Sequence, residues 1–278
     1  MDGIIRTAMM YGTPMIDAHP IPRPMIGMNI RYWLLSWANQ MSPTAASNRH
    51  AECTILAPRF RANATSGKAT RKLLDGQLLT GIVPLVDGLA GRLARGARVA
   101  DVGCGTRHAV NLLARAFPRS TVTGYDIAID AIDAARVEAA AWGLPNASFA
   151  VRDATTLPAD PPFDVGFAFD AIHDQVDPAG VLTAVRRALT PDGVFVMLDI
   201  KAATRLEDNL GNPVAPWLYA MSTLHCLTVS LAHRGAGLGA AWGRELAYTM
   251  LRDAGFTSVD VHDVPDDPLD WLYVARPT

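Results

Sequence analysis

From residue 71 onward, the hydrophobic and polar positions repeat with periods that predict a regular series of strands and helices. Short apolar runs predict strands at "ARVADVG", "TVTGYD", "ASFAVRD", "FDVGFAFD" and "PDGVFVMLDI". Helical spacing lies between them in "HAVNLLARAF", "AIDAARVEAAAWG" and "AGVLTAVRRALT", with Gly143 as the capping glycine of the second helix. Strands separated by helices of about ten to fifteen residues favour βαβ units and a parallel sheet.

The two flanks of this series differ from it. Residues 71–96 have helical spacing interrupted by Pro84 and predict a helical lead-in. Residues 203–242 form a long apolar insertion, after which a helix, "GRELAYTMLRDAGF", and two closing strands, "TSVDVHDV" and "DWLYVAR", are expected. Residues 1–70 hold seven of the ten methionines and six prolines, so we expect a partly disordered region or an atypical start. The remaining 97–278 are predicted to form one α/β domain.

Composition limits the classes of function. Half of the 278 residues are hydrophobic and 19% are charged, which allows a large core. The net charge of −2 and the apolar insertion argue against a nucleic-acid partner, although seven basic against three acidic residues in 1–70 keep that alternative open. No apolar run reaches the roughly 18 residues that span a membrane. Three distant cysteines without metal-ligand spacing favour a reducing, cytoplasmic setting.

The stretch "DVGCGTRHA" predicts a ligand loop between a strand and a helix. Its glycines allow a ligand close to the backbone, and the helix start attracts anions. A dinucleotide loop, G-x-G-x-x-G, would place a third glycine at position 108, where His108 stands. Asp101 would repel a pyrophosphate but suits a ligand that carries an ammonium group. S-adenosylmethionine therefore fits the loop better than NAD does, and an NAD-dependent oxidoreductase is disfavoured.

The longer stretch "VADVGCGTRHAVNLL" resembles the first motif of class I S-adenosylmethionine-dependent methyltransferases, acidic-x-G-x-G-x-G. Asp101, Gly103 and Gly105 match, whereas Arg107 replaces the third glycine. Later features follow in the family's order from Val99 to the C-terminus. The resemblance implies a Rossmann-like α/β fold with a mainly parallel seven-stranded sheet flanked by helices. It also implies direct, in-line methyl transfer from S-adenosyl-L-methionine to a small-molecule acceptor.

Further motifs of the resemblance imply individual cofactor contacts. Asp126, 21 residues beyond Gly105, would accept both ribose hydroxyl groups. Asp153 in "VRDATTL" would lie near the adenine amino group, and Asp170 would end the fourth strand beside the methyl donor. The full set of implied cofactor-binding residues is Asp101, Gly103, Gly105, Asp126, Ile127, Asp153, Ala154 and Asp170.

A narrower resemblance comes from "FDAIHDQVDP", "LDIKAATRLEDNLGNP" and "STLHCLTVSLAHRGAGLGAAWG". These segments resemble a group of bacterial methyltransferases with a winged-helix-like segment before the catalytic domain. In that group the segment supports dimerisation and shapes the substrate pocket, so a homodimer is implied. Residues 71–95 are the best candidate for a remnant of it.

Two histidines are candidates for catalysis. A base is needed only where the acceptor arrives protonated, as a hydroxyl does. His173, three residues past the fourth strand, either lines the acceptor pocket or makes a structural hydrogen bond. His225, beside Cys226 in the insertion, either lines the pocket or packs in the core. A zinc site from these three residues and His233 matches no structural-zinc spacing, so no metal is expected.

A non-catalytic reading also stays open. Arg107 and the unusual N-terminal region suit an S-adenosylmethionine-binding or regulatory protein of the same fold that transfers no methyl group.

Overall fold

The structure, a computed structural model, describes residues 73–106 and 108–278. The expectations for residues 1–70 and for Arg107 therefore lie outside the described residues.

The strands of the described residues form one seven-stranded sheet in the order β3-β2-β1-β4-β5-β7-β6. Strands β1 to β5 pair in parallel, whereas β7 runs antiparallel to both β5 and β6. The sheet is thus mixed, because a short connection joins β6 to β7 and reverses the chain. The Rossmann-like class I fold is confirmed. The strands are β1 Arg98–Val102, β2 Thr121–Asp126, β3 Ala147–Val151, β4 Phe163–Phe169, β5 Leu189–Ile200, β6 Ser258–Asp263 and β7 Asp270–Arg276.

Helices cover both faces of this sheet. They are α1 Leu73–Leu85, α2 Leu89–Arg95, α3 His108–Ala116, α4 Ile129–Ala141, α5 Pro178–Ala188, α6 Ala215–Met221, α7 Leu227–Leu231 and α8 Arg244–Asp253. A π-helical turn, Ser222–Cys226, joins α6 to α7, and 3₁₀ turns lie at Ala154–Thr156 and Leu206–Asn209. Gly143 follows α4 with φ of 63°, the left-handed capping conformation predicted for it.

Successive residues of the central strands enter two separate cores. Val99 and Phe167 pack with α1 to α4, whereas their neighbours Ala100 and Ala168 pack with α5 and α8. This follows from the period of two along a strand. A sheet covered on both faces also explains why these strands are apolar throughout.

One predicted boundary was wrong. The helical spacing of "AGVLTAVRRALT" predicted a helix through Thr190, but α5 ends at Ala188 and β5 begins at Leu189. Pro191 disfavours helical backbone in the residue before it, and Leu189 instead pairs with Phe163 of β4.

The predicted helical lead-in packs as part of the domain. Leu74, Leu78 and Leu93 are buried in the same core as α3 and α4. His108 adds a polar contact, with Nε2 2.6 Å from Asp75 Oδ1 and Nδ1 2.9 Å from Glu138 Oε2. Within the described part of the chain, no single helix has the length and apolar character to cross a membrane. Among these helices, only α1 and α2 taken together are long and apolar enough, and the chain bends by 104° between them.

Candidate cofactor and acceptor site

Five aspartates stand at the carboxyl ends of the five parallel strands. Asp101 and Asp199 lie within β1 and β5, Asp126 ends β2, and Asp153 and Asp170 follow β3 and β4. Carboxyl ends of parallel strands meet at one edge of a sheet, and this edge is where ligands bind in open α/β folds. The topology thus gathers the carboxylates that the sequence placed up to 98 residues apart.

Two glycines shape the loop after β1. Gly103 has φ of 68° and Gly105 has φ of 53°, in the left-handed region that favours glycine. A Cβ on Gly103 would lie 2.7 Å from Ala171 Cβ, so the loop and the end of β4 approach closely only because this side chain is absent. The backbone N–H of Cys104 donates to the Tyr125 carbonyl oxygen at 3.0 Å and ties the loop to β2.

Asp126 is the carboxylate in direct contact with this loop. Its Oδ2 accepts a hydrogen bond from the Gly105 N–H at 2.7 Å, and its Oδ1 accepts one from the Ala128 N–H at 2.8 Å. These bonds fix the carboxylate between the loop and the start of α4. Each carboxylate oxygen has a further lone pair, so the group retains the capacity to accept ribose hydroxyl hydrogens.

The other predicted cofactor residues lie around this junction. Asp153 is exposed, and its Oδ1 accepts from the N–H and the hydroxyl of Thr155 at 2.9 and 2.8 Å. Ala154 is buried, whereas Ile127 is 66% exposed, an apolar side chain in solvent beside Asp126. Asp101 is fully buried in β1. The predicted set therefore shares one edge of the sheet but differs widely in exposure.

Asp170 has a backbone conformation that few non-glycine residues adopt. Its φ is 46°, and its N–H donates to the Leu198 carbonyl oxygen at 2.9 Å. Aspartate tolerates the left-handed region better than most residues, and such conformations concentrate at functional sites. The turn directs the chain from β4 to His173.

His173 is held by a buried carboxylate, Asp199, which the sequence left open between a solvated loop charge and a pocket group. Its Nδ1 lies 2.7 Å from Oδ1 of Asp199, and the same oxygen accepts from Trp242 Nε1–H at 3.0 Å and from the Ile200 N–H at 2.9 Å. His173 is 2% and Asp199 0% exposed. The one signal in the sequence was a charged residue in the otherwise apolar run "VFVMLDI", since a buried charge requires partners.

The electrostatics of His173 follow from these partners. Burial lowers the pKa of His173, but the carboxylates of Asp199 and Asp174 raise it more, and the resulting pKa lies well above the usual value. Its Nε2 is 3.4 Å from Asp174 Oδ1. Both ring nitrogens of the imidazole therefore face a carboxylate.

The second candidate histidine joins the same group from the insertion. His225 Nε2 lies 3.8 Å from Asp174 Oδ2, and Cys226 is buried beside His173. Burial raises the pKa of the Cys226 thiol, and the contact with His173 opposes that shift. His233, the fourth member of the zinc combination considered from sequence, is exposed. The structure thus unites three of those four residues and adds Asp174.

A second group of carboxyls lies where β7 begins. Burial raises the pKa of Asp270 to about 10, and the nearby carboxylates of Asp170, Asp267 and Asp199 act in the same direction. The Asp270 carboxyl is therefore protonated at neutral pH. As a neutral group it donates, so it can hydrogen-bond to the buried Asp267 beside it.

A cavity of about 290 Å³ opens where the chain leaves β5, and it is lined by two cations, Lys201 and Arg244, and by two carboxylates, Asp208 and Glu245. The Arg244 guanidinium stacks on the Trp271 ring, with Cζ 4.6 Å from the ring centroid, and forms no ion pair within the described residues. Lys201 Nζ pairs with Asp263 Oδ1 at 2.8 Å. The indole N–H of Trp271 is buried and has no hydrogen-bond partner among the residues described. The lining thus combines two carboxylates with the Arg244 guanidinium, the cation among these that forms no ion pair within the described residues.

Comparison with known proteins decides the family. A sequence profile described as "Methyltransferase domain" matches residues 93–255, more than half of the chain. The chain belongs to this methyltransferase family. The matched residues of the methyltransferase domain run from α2 to the turn after α8, and they include the loop after β1 and both candidate histidines.

Individual relatives and solved structures agree with this family. The chain is 31% identical over 121 residues to a trans-aconitate 2-methyltransferase of Methylobacterium nodulans, covering 44% of this chain and 42% of the relative. It is 33% identical over 110 residues to a ubiquinone biosynthesis O-methyltransferase of Paracidovorax citrulli, covering 39% and 44%. The chain thus matches less than half the length of these relatives. An O-methyltransferase family protein from Burkholderia thailandensis has the same fold, with a TM-score of 0.57 at 19% identity, over 78% of this chain and 60% of that one.

Proposed function

We propose that this protein transfers a methyl group from S-adenosyl-L-methionine to an oxygen atom of a small-molecule acceptor. The observation that carries the proposal is the junction at which the Gly105 N–H meets the Asp126 carboxylate, within a chain of the methyltransferase family. An acidic residue at the end of β2 and a glycine-rich loop after β1 are the two features that the family resemblance assigns to cofactor binding, and here a hydrogen bond joins them. The cofactor supplies a sulfonium methyl that is already activated for in-line displacement.

The residues at this edge fit the cofactor. The absence of a side chain at Gly103 lets the loop after β1 pack against Ala171, and Asp126 keeps unused lone pairs toward a ribose. Ile127 offers an exposed apolar surface to an adenine ring, with Asp153 and Ala154 on its polar edge. Asp101 and Asp170 place negative charge where the ammonium and the sulfonium would lie. With the cation held there, most of the catalysis is proximity and orientation.

Removing the proton of a hydroxyl acceptor is the one chemical step that the protein's own side chains must perform. We assign it to His173. Its Nδ1–H is directed at Asp199, so Nε2 is the atom that accepts a proton once the ring is neutral, a form that the raised pKa of His173 disfavours at neutral pH. A hydroxyl acceptor would give its proton to Nε2, whereas a carboxylate acceptor would arrive ionised and need no base. His225, on the other side of Asp174, is the second histidine available to position the acceptor.

An acidic small molecule is the acceptor class that this edge favours. Arg244 in the cavity after β5 has no ion pair within the described residues, and a guanidinium is suited to a carboxylate. The trans-aconitate 2-methyltransferase to which the chain is similar has an acidic molecule in its name. Both observations support a carboxylate on the acceptor, and the O-methyltransferase among the relatives supports oxygen as the acceptor atom.

Two measurements test the proposal in order. Isothermal titration with S-adenosylmethionine should show binding to the full chain, and absence of binding by folded protein would refute the cofactor assignment. An acceptor panel of hydroxylated and carboxylated small molecules, assayed with methyl-labelled cofactor, should then give labelled product. Cofactor binding without transfer to any acceptor would favour the non-catalytic, regulatory reading. The homodimer and the cytoplasmic location stay predictions from the sequence, and light scattering tests the first.

A further inference from the structure

Three side chains with metal-ligand chemistry meet between the end of β4 and the insertion. They are His173 and Asp174, from the loop after β4, and Cys226, from the π-helical turn Ser222–Cys226. One ligand atom from each lies within 4.8 Å of the other two. His225 adds a fourth candidate, because its Nε2 is 3.8 Å from Asp174 Oδ2. More than 50 residues of sequence separate the two halves of this cluster, so spacing alone did not reveal it.

The donor set suits a cation of the zinc class. Imidazole nitrogen, thiolate sulfur and carboxylate oxygen are the ligands that Zn²⁺ takes in proteins, at about 2.0–2.3 Å and in tetrahedral geometry. Those bond lengths place neighbouring ligand atoms about 3.3–3.8 Å apart. The His173 Nε2 to Asp174 Oδ1 distance of 3.4 Å already lies in that range. Shortening the remaining distances between ligand atoms, which are at most 4.8 Å, by about 1 Å would bring all three into tetrahedral zinc geometry.

The surroundings of His173 are those of a metal ligand. Asp199 accepts from Nδ1 of His173, so Nε2 is the ring nitrogen left to bind a cation beside Asp174 and Cys226 once it has lost its proton. Metal-binding histidines usually donate their second ring N–H to a carboxylate in this manner. Trp242 and the Ile200 N–H fix the same Asp199 oxygen, so the ring orientation is held before any cation arrives.

We propose that His173, Asp174 and Cys226 bind a zinc-class divalent cation, with His225 as the fourth ligand, and that the bound cation inhibits methyl transfer. Binding replaces the Cys226 thiol proton by a metal–sulfur bond and, where the His173 ring is protonated, its Nε2 proton by a metal–nitrogen bond; the displaced protons go to solvent. The cation occupies Nε2 of His173, so the ring can no longer accept a proton from a hydroxyl acceptor. The inhibition rests on the proposed function, whereas the binding does not. This site departs from the sequence-based expectation of no metal.

Cobalt(II) gives the direct test, because a cobalt–thiolate bond has its own charge-transfer absorption and tetrahedral cobalt has intense visible bands. The full chain, stripped with a chelator, is titrated with Co²⁺ and then with Zn²⁺. We expect one equivalent of Co²⁺ to produce both signals and Zn²⁺ to abolish them. Cys226→Ser should remove the thiolate band, and His173→Gln should weaken Co²⁺ binding at least tenfold. Asp199→Asn should weaken it by about 10- to 100-fold, the usual effect of losing a carboxylate behind a ligand histidine.

Control variants separate the cluster from adventitious binding. His233→Ala removes an exposed histidine of the same insertion, and Cys104→Ser removes the buried thiol of the loop after β1; both should keep the full spectrum. Thermal unfolding without metal establishes that each variant is folded, and Asp174→Asn provides a milder second variant. A parent protein without a cobalt–thiolate band, or a band that persists in folded Cys226→Ser, would overturn the site.

Inhibition is measured separately from binding. The cobalt spectrum requires neither cofactor nor acceptor, so failure of the proposed methyl transfer would leave the metal result intact. Where transfer to a hydroxyl acceptor is found, saturating Zn²⁺ should lower its rate at least tenfold, and a chelator should restore it. Zinc that binds without changing the rate would refute the inhibition and retain the site.

Discussion

His173 Nδ1 and Asp199 Oδ1 lie 2.7 Å apart in the interior of the protein, the histidine in the loop after β4 and the aspartate within β5. The pair orients the imidazole and leaves Nε2 for an acceptor or a cation. Asp199→Asn should therefore lower kcat for a hydroxyl acceptor by about 10² or more with little change in KM, since proton transfer contributes about 10²–10⁴.

Trp242→Phe is the matched control for that change. It removes one N–H donated to the same Asp199 oxygen and leaves the contact with His173. A smaller loss of kcat is expected from steady-state kinetics. Equal losses in the two variants would show that the effect is a general loss of packing.

Cofactor affinity should depend on Asp126. Asp126→Ala removes the ribose acceptor and also releases the Gly105 and Ala128 N–H groups. Hydrogen bonds to charged groups contribute about 1.5–3 kcal/mol, so the Kd for S-adenosylmethionine should rise by about 10- to 100-fold in calorimetry. Asp130→Ala, an exposed change in the first turn of α4, should leave the Kd unaltered. Unaltered affinity in Asp126→Ala would contradict the ribose assignment.

The buried Asp270 carboxyl should make stability depend on pH. Its folded pKa of about 10 exceeds the unfolded value of about 4, so the native state holds the extra proton between these limits. Stability contributed by this group is complete below about pH 4 and is lost as pH rises toward 10, at up to about 1.4 kcal/mol per pH unit.

Asp270→Asn removes this titration and keeps a donor toward Asp267. Urea unfolding from pH 6 to 9 should show a flatter decline in the free energy of unfolding than in the parent. Asp253→Asn, an exposed change in α8, should retain the parental slope. Parallel slopes for the parent and Asp270→Asn would show that the carboxyl is ionised in the folded protein.

The lead-in helix should depend on His108 for its attachment. His108→Ala leaves Glu138 and Asp75 without this partner. We expect the free energy of unfolding to fall by about 1–3 kcal/mol, measured by chemical denaturation, with His233→Ala unchanged. A loss below about 0.5 kcal/mol, the range of ordinary surface changes, would show that apolar packing alone holds α1.

Arg244 should distinguish acidic from neutral acceptors. Arg244→Gln removes the guanidinium from the cavity after β5, so KM for carboxylated acceptors should rise about tenfold, corresponding to about 1.4 kcal/mol. KM for neutral acceptors should change little. Arg205→Gln, an exposed change within the insertion 203–242, is the control. Equal effects on both acceptor classes would remove the anionic-acceptor assignment.

The sequence by itself determined the order of strands and helices and the identity of the glycine loop. Apolar strands that alternate with helices commonly form a parallel sheet covered by helices on both faces. Gly103, Gly105 and Asp126 were recognisable because their spacing along the chain is itself the motif. The family and its sheet were predictable for this reason. The end of α5 was missed because Pro191 and the pairing of Leu189 outweighed the helical spacing.

Only the tertiary structure decided which residues surround His173. Asp199, Trp242, His225 and Cys226 come from β5, the insertion and the loop before α8, and no periodicity relates them. Their meeting depends on how the insertion packs over the carboxyl edge of the sheet. Burial then shifts their pKa values, because a carboxylate removed from water must accept hydrogen bonds from the donors that the fold places beside it.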